Sequence, residues 1–169
     1  MPNLLFVCTA NQFRSPVAEF CFRRELEARR LASAPPWGTA DPASWNVSSA
    51  GTWVSPGSTV PLDLVRRLHA LGINLDGHQP RGVTESMLRG TDLILVMERS
   101  QREALGVEFP FTRGRTHLLT EVARGIAVDI PDPFYTSRCT PQEVAADIRG
   151  LIREGFGAIC TRMEQPLGI

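Results

Sequence analysis

The sequence predicts an α/β protein of three layers, with helices on both faces of a four-stranded parallel sheet. Two observations carry this. Residues 4–7 (Leu-Leu-Phe-Val) and 92–97 (Asp-Leu-Ile-Leu-Val-Met) are short, almost purely apolar runs, the pattern of strands buried on both faces. Segments of helical periodicity alternate with such runs along the chain, and alternation of this kind builds a parallel sheet through crossover connections.

Taken in order, the first strand covers residues 4–7 and stops at Cys8. A loop from Cys8 to Ser15 follows. Pro16 suits a first helical position, because its fixed φ fits there and its missing N–H is not needed. Ser15 is then the expected N-cap. Val17, Phe20, Cys21 and Leu26 give the helix its apolar face, with Glu19 early and Arg29-Arg30 late, as the helix dipole favours. Residues 33–45 are loop chemistry, rich in Pro, Ala and Ser, and read as an insertion within a single domain spanning 1–169. Residues 45–50 form a second strand ended by Gly51, and Ser55-Pro56-Gly57 turns the chain. A helix is expected over 61–71, ended by Gly72, and a short one over 83–88. After the strand at 92–97 come a short helix over 100–105 and a fourth strand over 116–120. Residues 129–135 form a Pro-containing loop. Thr140 caps a long final helix from Pro141 to about residue 163.

The chain has 169 residues, enough for one sizeable core. Lys plus Arg equals 18 and Asp plus Glu equals 18, every cation being Arg. A zero net charge gives no electrostatic reason to expect nucleic acid or an anionic membrane as partner. No apolar run reaches bilayer length, and the first residues lack a basic region and a cleavage site, so a cytoplasmic protein is expected. Cys8, Cys21, Cys139 and Cys160 form no C-x-x-C pair and no zinc pattern. No metal or other cofactor is expected, and a monomer is the default.

The loop after the first strand carries the chemistry. In an open α/β sheet, ligands bind beyond the carboxyl ends of the strands. Backbone N–H groups of Thr9, Ala10, Asn11, Gln12, Phe13, Arg14 and Ser15, together with a helix N-terminus, suit a tetrahedral oxyanion, which makes this a phosphate-binding loop. Arg14 adds a planar fork of donors for two phosphate oxygens. The same field favours a thiolate at Cys8, the candidate nucleophile. Ser15 can donate to that sulfur, and the Asn11 side chain can hold the loop's curve. The alternative for Cys8 is an inert core thiol. A Cys and an Arg six apart are a weak motif alone; their place between strand and helix makes it stronger. Phosphoester cleavage also needs a proton for the leaving oxygen. Asp129 and Asp132 lie in the late loop, and residue type alone does not choose between them. Trp53, Phe134 and Tyr135 are candidates for cleft walls, with ordinary packing as the alternative.

The segment Cys8-Thr9-Ala10-Asn11-Gln12-Phe13-Arg14-Ser15-Pro16 resembles the C-x-G-N-x-C-R-S-P loop of low-molecular-weight protein tyrosine phosphatases. Ser49-Ala50-Gly51-Thr52, His78-Gln79-Pro80-Arg81, residues 92–97 and Asp132-Pro133-Phe134-Tyr135 look like further landmarks of that family in the right order. The resemblance implies hydrolysis of phosphotyrosine on proteins through a phosphocysteine intermediate, with Cys8, Arg14 and Asp132 as catalytic residues. It implies that His78 bonds to the phosphate loop. It implies a phosphorylated protein as substrate and, for bacterial members, an exopolysaccharide-related tyrosine kinase as partner.

Three positions depart from the family pattern. Ala10 replaces Gly, which costs energy if that position needs positive φ. Phe13 replaces a cysteine that, in the family, protects the nucleophile from over-oxidation. Gln12 stands where tyrosine phosphatases usually carry a bulky aliphatic residue and arginine phosphatases Thr, so phosphoarginine is an alternative substrate. Arsenate reductase, on the same scaffold, needs two further cysteines close together. Residues 22–138 contain none, which disfavours it.

Overall fold

The computed structural model describes residues 1–32 and 44–164. The Pro-rich stretch expected as an insertion near 33–45 lies almost entirely outside the described residues. Strands β1 (Asn3–Cys8), β2 (Asn46–Gly51), β3 (Leu93–Val96) and β4 (Thr116–Leu118) form one sheet in the order β2-β1-β3-β4. Every pairing is parallel, with Val7 opposite Ala50 on one side and Val96 on the other. The α/β fold expected from the two apolar runs is therefore the observed one.

Alternation along β1 divides the core. Leu4, Phe6 and Cys8 face a large cluster with helices α1 (Arg14–Leu31), α5 (Leu119–Arg124) and α6 (Pro141–Glu164). Leu5 and Val7 face a smaller cluster with Leu88 of α3 (Glu85–Arg89) and Leu105 of α4 (Arg99–Glu108). Helix α2 (Leu62–His69) adds Leu64 and Leu68 to the larger side. Within that side, Phe22 stacks on Phe156 with ring centroids 4.9 Å apart. No described helix is long and apolar enough to cross a membrane.

This topology positions the site. The chain leaves β1 for β2 on one side, then crosses to β3 on the other. The carboxyl end of β1 is thus the switch point, where diverging connections leave a crevice. Cys8 is the last residue of that strand.

Several boundaries differ from expectation. Helix α1 begins at Arg14, with Phe13 at the cap position and no side-chain cap. Ser15 is therefore not the N-cap; its hydroxyl is spent elsewhere. Pro16 falls inside the first turn, where a missing N–H is still harmless. The fourth strand is only three residues long. From Leu119 the chain turns into α5, which packs on α6 and ends at Gly125 in the left-handed region, φ 72°. The short helix placed at 83–88 starts instead after Thr84, whose hydroxyl accepts from the Met87 N–H at 3.2 Å. Val83 is used in pairing, its N–H donating to Gly51 at 2.9 Å. Helix α4 runs on to Glu108 and a 3₁₀ turn, Pro110–Arg115, leads into β4. Thr140 does cap α6, in a reciprocal pair with Glu143.

Candidate active site

The loop leaves β1 between two fixed edges. The Cys8 carbonyl accepts from the Thr52 N–H at 2.9 Å and the Thr9 carbonyl from the Trp53 N–H at 3.0 Å. Gly51 makes this approach feasible. A Cβ there would meet the Thr9 oxygen at 2.4 Å and Val54 at 2.6 Å, far inside contact distance. The Ser-Ala-Gly-Thr segment is therefore a template against which the loop closes.

Asn11 bends the loop. It has φ 52° and, among the described residues, is the non-glycine residue in the left-handed region, a conformation Asn tolerates better than most. Ala10 does not carry positive φ, so replacing Gly there costs the loop no strain of that kind. The buried Asn11 amide donates to Ser15 Oγ and to Ser49 Oγ, both at 3.0 Å, and its carbonyl oxygen accepts from the Arg81 N–H at 3.0 Å. His78 Nε2 donates to the Asn11 backbone carbonyl at 2.9 Å. Ser49 in turn donates to Glu19 at 2.7 Å. Asn11, His78, Ser49 and Glu19 thus brace the loop from behind.

Ser15 Oγ lies 3.0 Å from Cys8 Sγ and 3.3 Å from the Ala50 carbonyl. Its single proton serves one of these acceptors at a time. A thiol can donate to Ser15 while the hydroxyl donates to Ala50; a thiolate draws the hydroxyl proton to itself.

Arg14 is 2% exposed and both terminal nitrogens of its fork are engaged. Nη1 donates to the Glu98 carboxylate and, at 2.8 Å, to the Ile130 carbonyl; Nη2 donates to Asp132 Oδ2 at 3.0 Å. The structure so brings Cys8, Arg14, Ser15 and Asp132 together. Asp129, the rival carboxylate, lines the same cleft as Asp132 but accepts from the Arg99 N–H at 2.9 Å and pairs with that side chain rather than with Arg14. Asp132 also closes its own turn, Oδ1 accepting from the Phe134 N–H at 3.0 Å.

Arg14, Thr9, Glu98, Asp132, Tyr135 and Cys139 line one cleft. Tyr135 is 88% exposed and Phe134 54%, the latter meeting the buried Phe13 edge-on at 5.8 Å. Trp53 is 71% exposed, tied to the loop through its backbone, and does not line this cleft. Gln12 donates to the Thr59 carbonyl at 2.8 Å, which ties its amide to the neighbouring loop. Burial pushes the Cys21 thiol up to about 11 and Cys160 up to about 12, so both are inert at neutral pH.

Glu98 and Gln101 carry no mark of the site in the sequence, Glu19 reads there only as an early acidic residue of the first helix, and Ser49 only as part of a family landmark. Glu98 and Gln101 follow the clearest strand of the chain, at its carboxyl end, and that position was the available signal.

A family model described as low molecular weight phosphotyrosine protein phosphatase matches residues 3–165. The protein-arginine-phosphatase of Bacillus subtilis (strain 168) is 28% identical over 152 residues, covering 90% of this chain and 93% of that one. The low molecular weight protein-tyrosine-phosphatase Wzb of Escherichia coli (strain K12) is 31% identical over 138 residues, 82% of each. Among solved structures, the YwlE arginine phosphatase with its active-site cysteine replaced by a phosphorylated serine superposes with a TM-score of 0.75. It is 25% identical over 96% of both chains.

Proposed function

Because the chain belongs to the low molecular weight phosphotyrosine protein phosphatase family, we propose that it hydrolyses phosphotyrosine on proteins through a phosphocysteine at Cys8. The observation that carries this is the meeting of Cys8, Ser15, Arg14 and Asp132, residues up to 124 apart in sequence, around one loop. In the first step the Cys8 thiolate attacks phosphorus, the P–O bond to the phenol breaks, and Asp132 protonates the leaving oxygen. In the second step water attacks the phosphocysteine while Asp132 takes its proton. The S–P bond breaks, Ser15 stabilises the departing thiolate, and inorganic phosphate is released.

The resting ion pair fits this sequence: Asp132 Oδ2 sits on Arg14 Nη2, so the acid is held beside the guanidinium that would grip the phosphate. Tyr135, which lines the cleft, supplies aromatic surface for an aryl ester. The reading takes a phosphorylated protein as substrate, a bacterial tyrosine kinase being one such protein, and a cytoplasmic monomer as the working form.

Phosphoarginine hydrolysis is the second reading, supported by the arginine phosphatase relatives; Gln12 fits neither group and does not choose between them. Arsenate reduction is disfavoured, because Cys21 and Cys160 are buried and only Cys139 joins the cleft among the described residues. The test is turnover of an aryl phosphate by wild type, Cys8→Ser and Asp132→Asn, then of matched phosphotyrosine and phosphoarginine peptides. Activity surviving in Cys8→Ser would sink the mechanism; faster phosphoarginine turnover would replace the leading substrate.

A further inference from the structure

Gln101 is a polar side chain with only 2% exposure, in the first turn of α4. Its Oε1 accepts from the Met97 N–H at 2.9 Å and the Glu98 N–H at 3.0 Å. This is the cap half of its role, and Glu at this helix position would serve it equally well. Its Nε2 does something a cap does not require. It donates to Thr9 Oγ1, in the phosphate loop, at 3.1 Å, and to Glu98 Oε1 at 3.5 Å. The same Glu98 oxygen receives Arg14 Nη1.

One amide therefore spans the end of β3, the second residue of the phosphate loop and the carboxylate that anchors Arg14. Only an amide can do this. A carboxylate would supply the two acceptor contacts but would set a second negative charge against Glu98. An apolar side chain would leave two buried N–H groups without partners.

We propose that Gln101 is a positioning residue for phosphate binding, fixing Thr9 and the Glu98 carboxylate relative to one another so that Arg14 meets the phosphate correctly. The inference rests on the phosphatase reading above for its consequence in turnover, though not for its consequence in anion binding.

The test compares the full chain as wild type, Gln101→Glu, Gln101→Met and Glu103→Gln, the last an exposed control on the same helix. Inorganic phosphate binding is measured by calorimetry, aryl phosphate kcat and KM by steady-state kinetics, and ligand-free Tm by calorimetric scanning. Gln101→Glu keeps the cap and loses the donor. Its phosphate affinity and kcat/KM should each fall about ten- to a hundredfold, the range for a bond to a charged group. Its ligand-free Tm should fall, through repulsion against Glu98, but by less than that of Gln101→Met, which also loses the two cap contacts. Gln101→Met should lose phosphate affinity and Tm together. Phosphate affinity of Gln101→Glu within about twofold of wild type overturns the proposal, as does a Tm loss in that variant matching Gln101→Met. Wild type that binds phosphate without turning over the ester defeats the phosphatase reading and leaves the binding comparison to decide on Gln101.

Discussion

Replacing Asn11 with Ala tests the loop's construction most directly. Ala keeps the backbone but loses three side-chain hydrogen bonds, to Ser15, Ser49 and the Arg81 N–H. Ser15 and Ser49 keep other partners, so those two losses should cost about 1 kcal/mol each. The Arg81 N–H is left without its acceptor, at about 1–3 kcal/mol. Ala at φ 52° adds about 1 kcal/mol of strain. Since these groups share one network, the terms do not simply add, and a total near 4 kcal/mol is expected. For a chain of this length that lowers Tm by about 8–16 °C. Asn11→Gly isolates the strain: it loses the same bonds but accepts the left-handed backbone, so it should be about 1 kcal/mol more stable than Asn11→Ala. Chemical denaturation of the three proteins reads all of this, and phosphate binding should weaken in both variants. An Asn11→Ala protein as stable as wild type, or an Asn11→Gly protein less stable than Asn11→Ala, would refute the account of the loop.

Asp132→Asn should slow aryl phosphates with poor leaving groups about 10²–10⁴-fold, far more than good ones, and should tighten phosphate binding because Arg14 Nη2 is released from an ion pair; equal slowing of both ester classes counts against Asp132 as the acid. Iodoacetamide near pH 7 should label Cys8 and Cys139 and spare Cys21 and Cys160, which mass spectrometry resolves. The two buried thiols also carry a pH signature. Their folded pKa values, about 11 and about 12, lie above the ordinary 9.0, so the unfolded chain releases their protons first. Their contribution is intact below pH 9 and is lost as pH rises from there towards the folded values, at about 1.4 kcal/mol per pH unit per thiol; denaturation midpoints flat from pH 8 to 11 would contradict it. Peroxide should inactivate the enzyme irreversibly, because Phe13 holds the loop position at which the resemblance to the family implies a protecting thiol; full recovery with dithiothreitol would disprove this.

How far the sequence could be read follows from the range of each interaction. The strands at residues 4–7 and 92–97 announced themselves because their burial is written in consecutive residues. The Cys8 loop was legible because strand, turn and Pro16 are adjacent. Ser15 misled as a cap because a hydroxyl before a helix suits capping locally, while its observed partners, Cys8 and the Ala50 carbonyl, are set by the fold. Leu119 follows Leu118 as a second apolar residue and reads locally as more strand, while in the fold it opens α5, which packs on α6. Glu98 reaches Arg14 across 84 residues and Gln101 reaches Thr9 across 92. No local pattern distinguishes them from ordinary helix-start residues. Choosing Asp132 over Asp129 likewise required knowing where Arg99 lies.

The buried state of Cys8, Asn11, Arg14, Ser15 and Gln101 has a consequence for how such an enzyme can diversify. Each of these side chains is held by the fold while lying in or bracing the loop, so most single replacements tax stability and chemistry at once. The rim is different. Tyr135 lines the cleft and is largely exposed, Phe134 beside it is about half exposed, and Gln12 touches the neighbouring loop through one amide. Exchanging them leaves the hydrophobic interior almost untouched. Selection for a new phosphorylated partner can therefore act on the rim while the inherited interior stays fixed, and lineages sharing this scaffold are free to part company in substrate long before they do so in architecture.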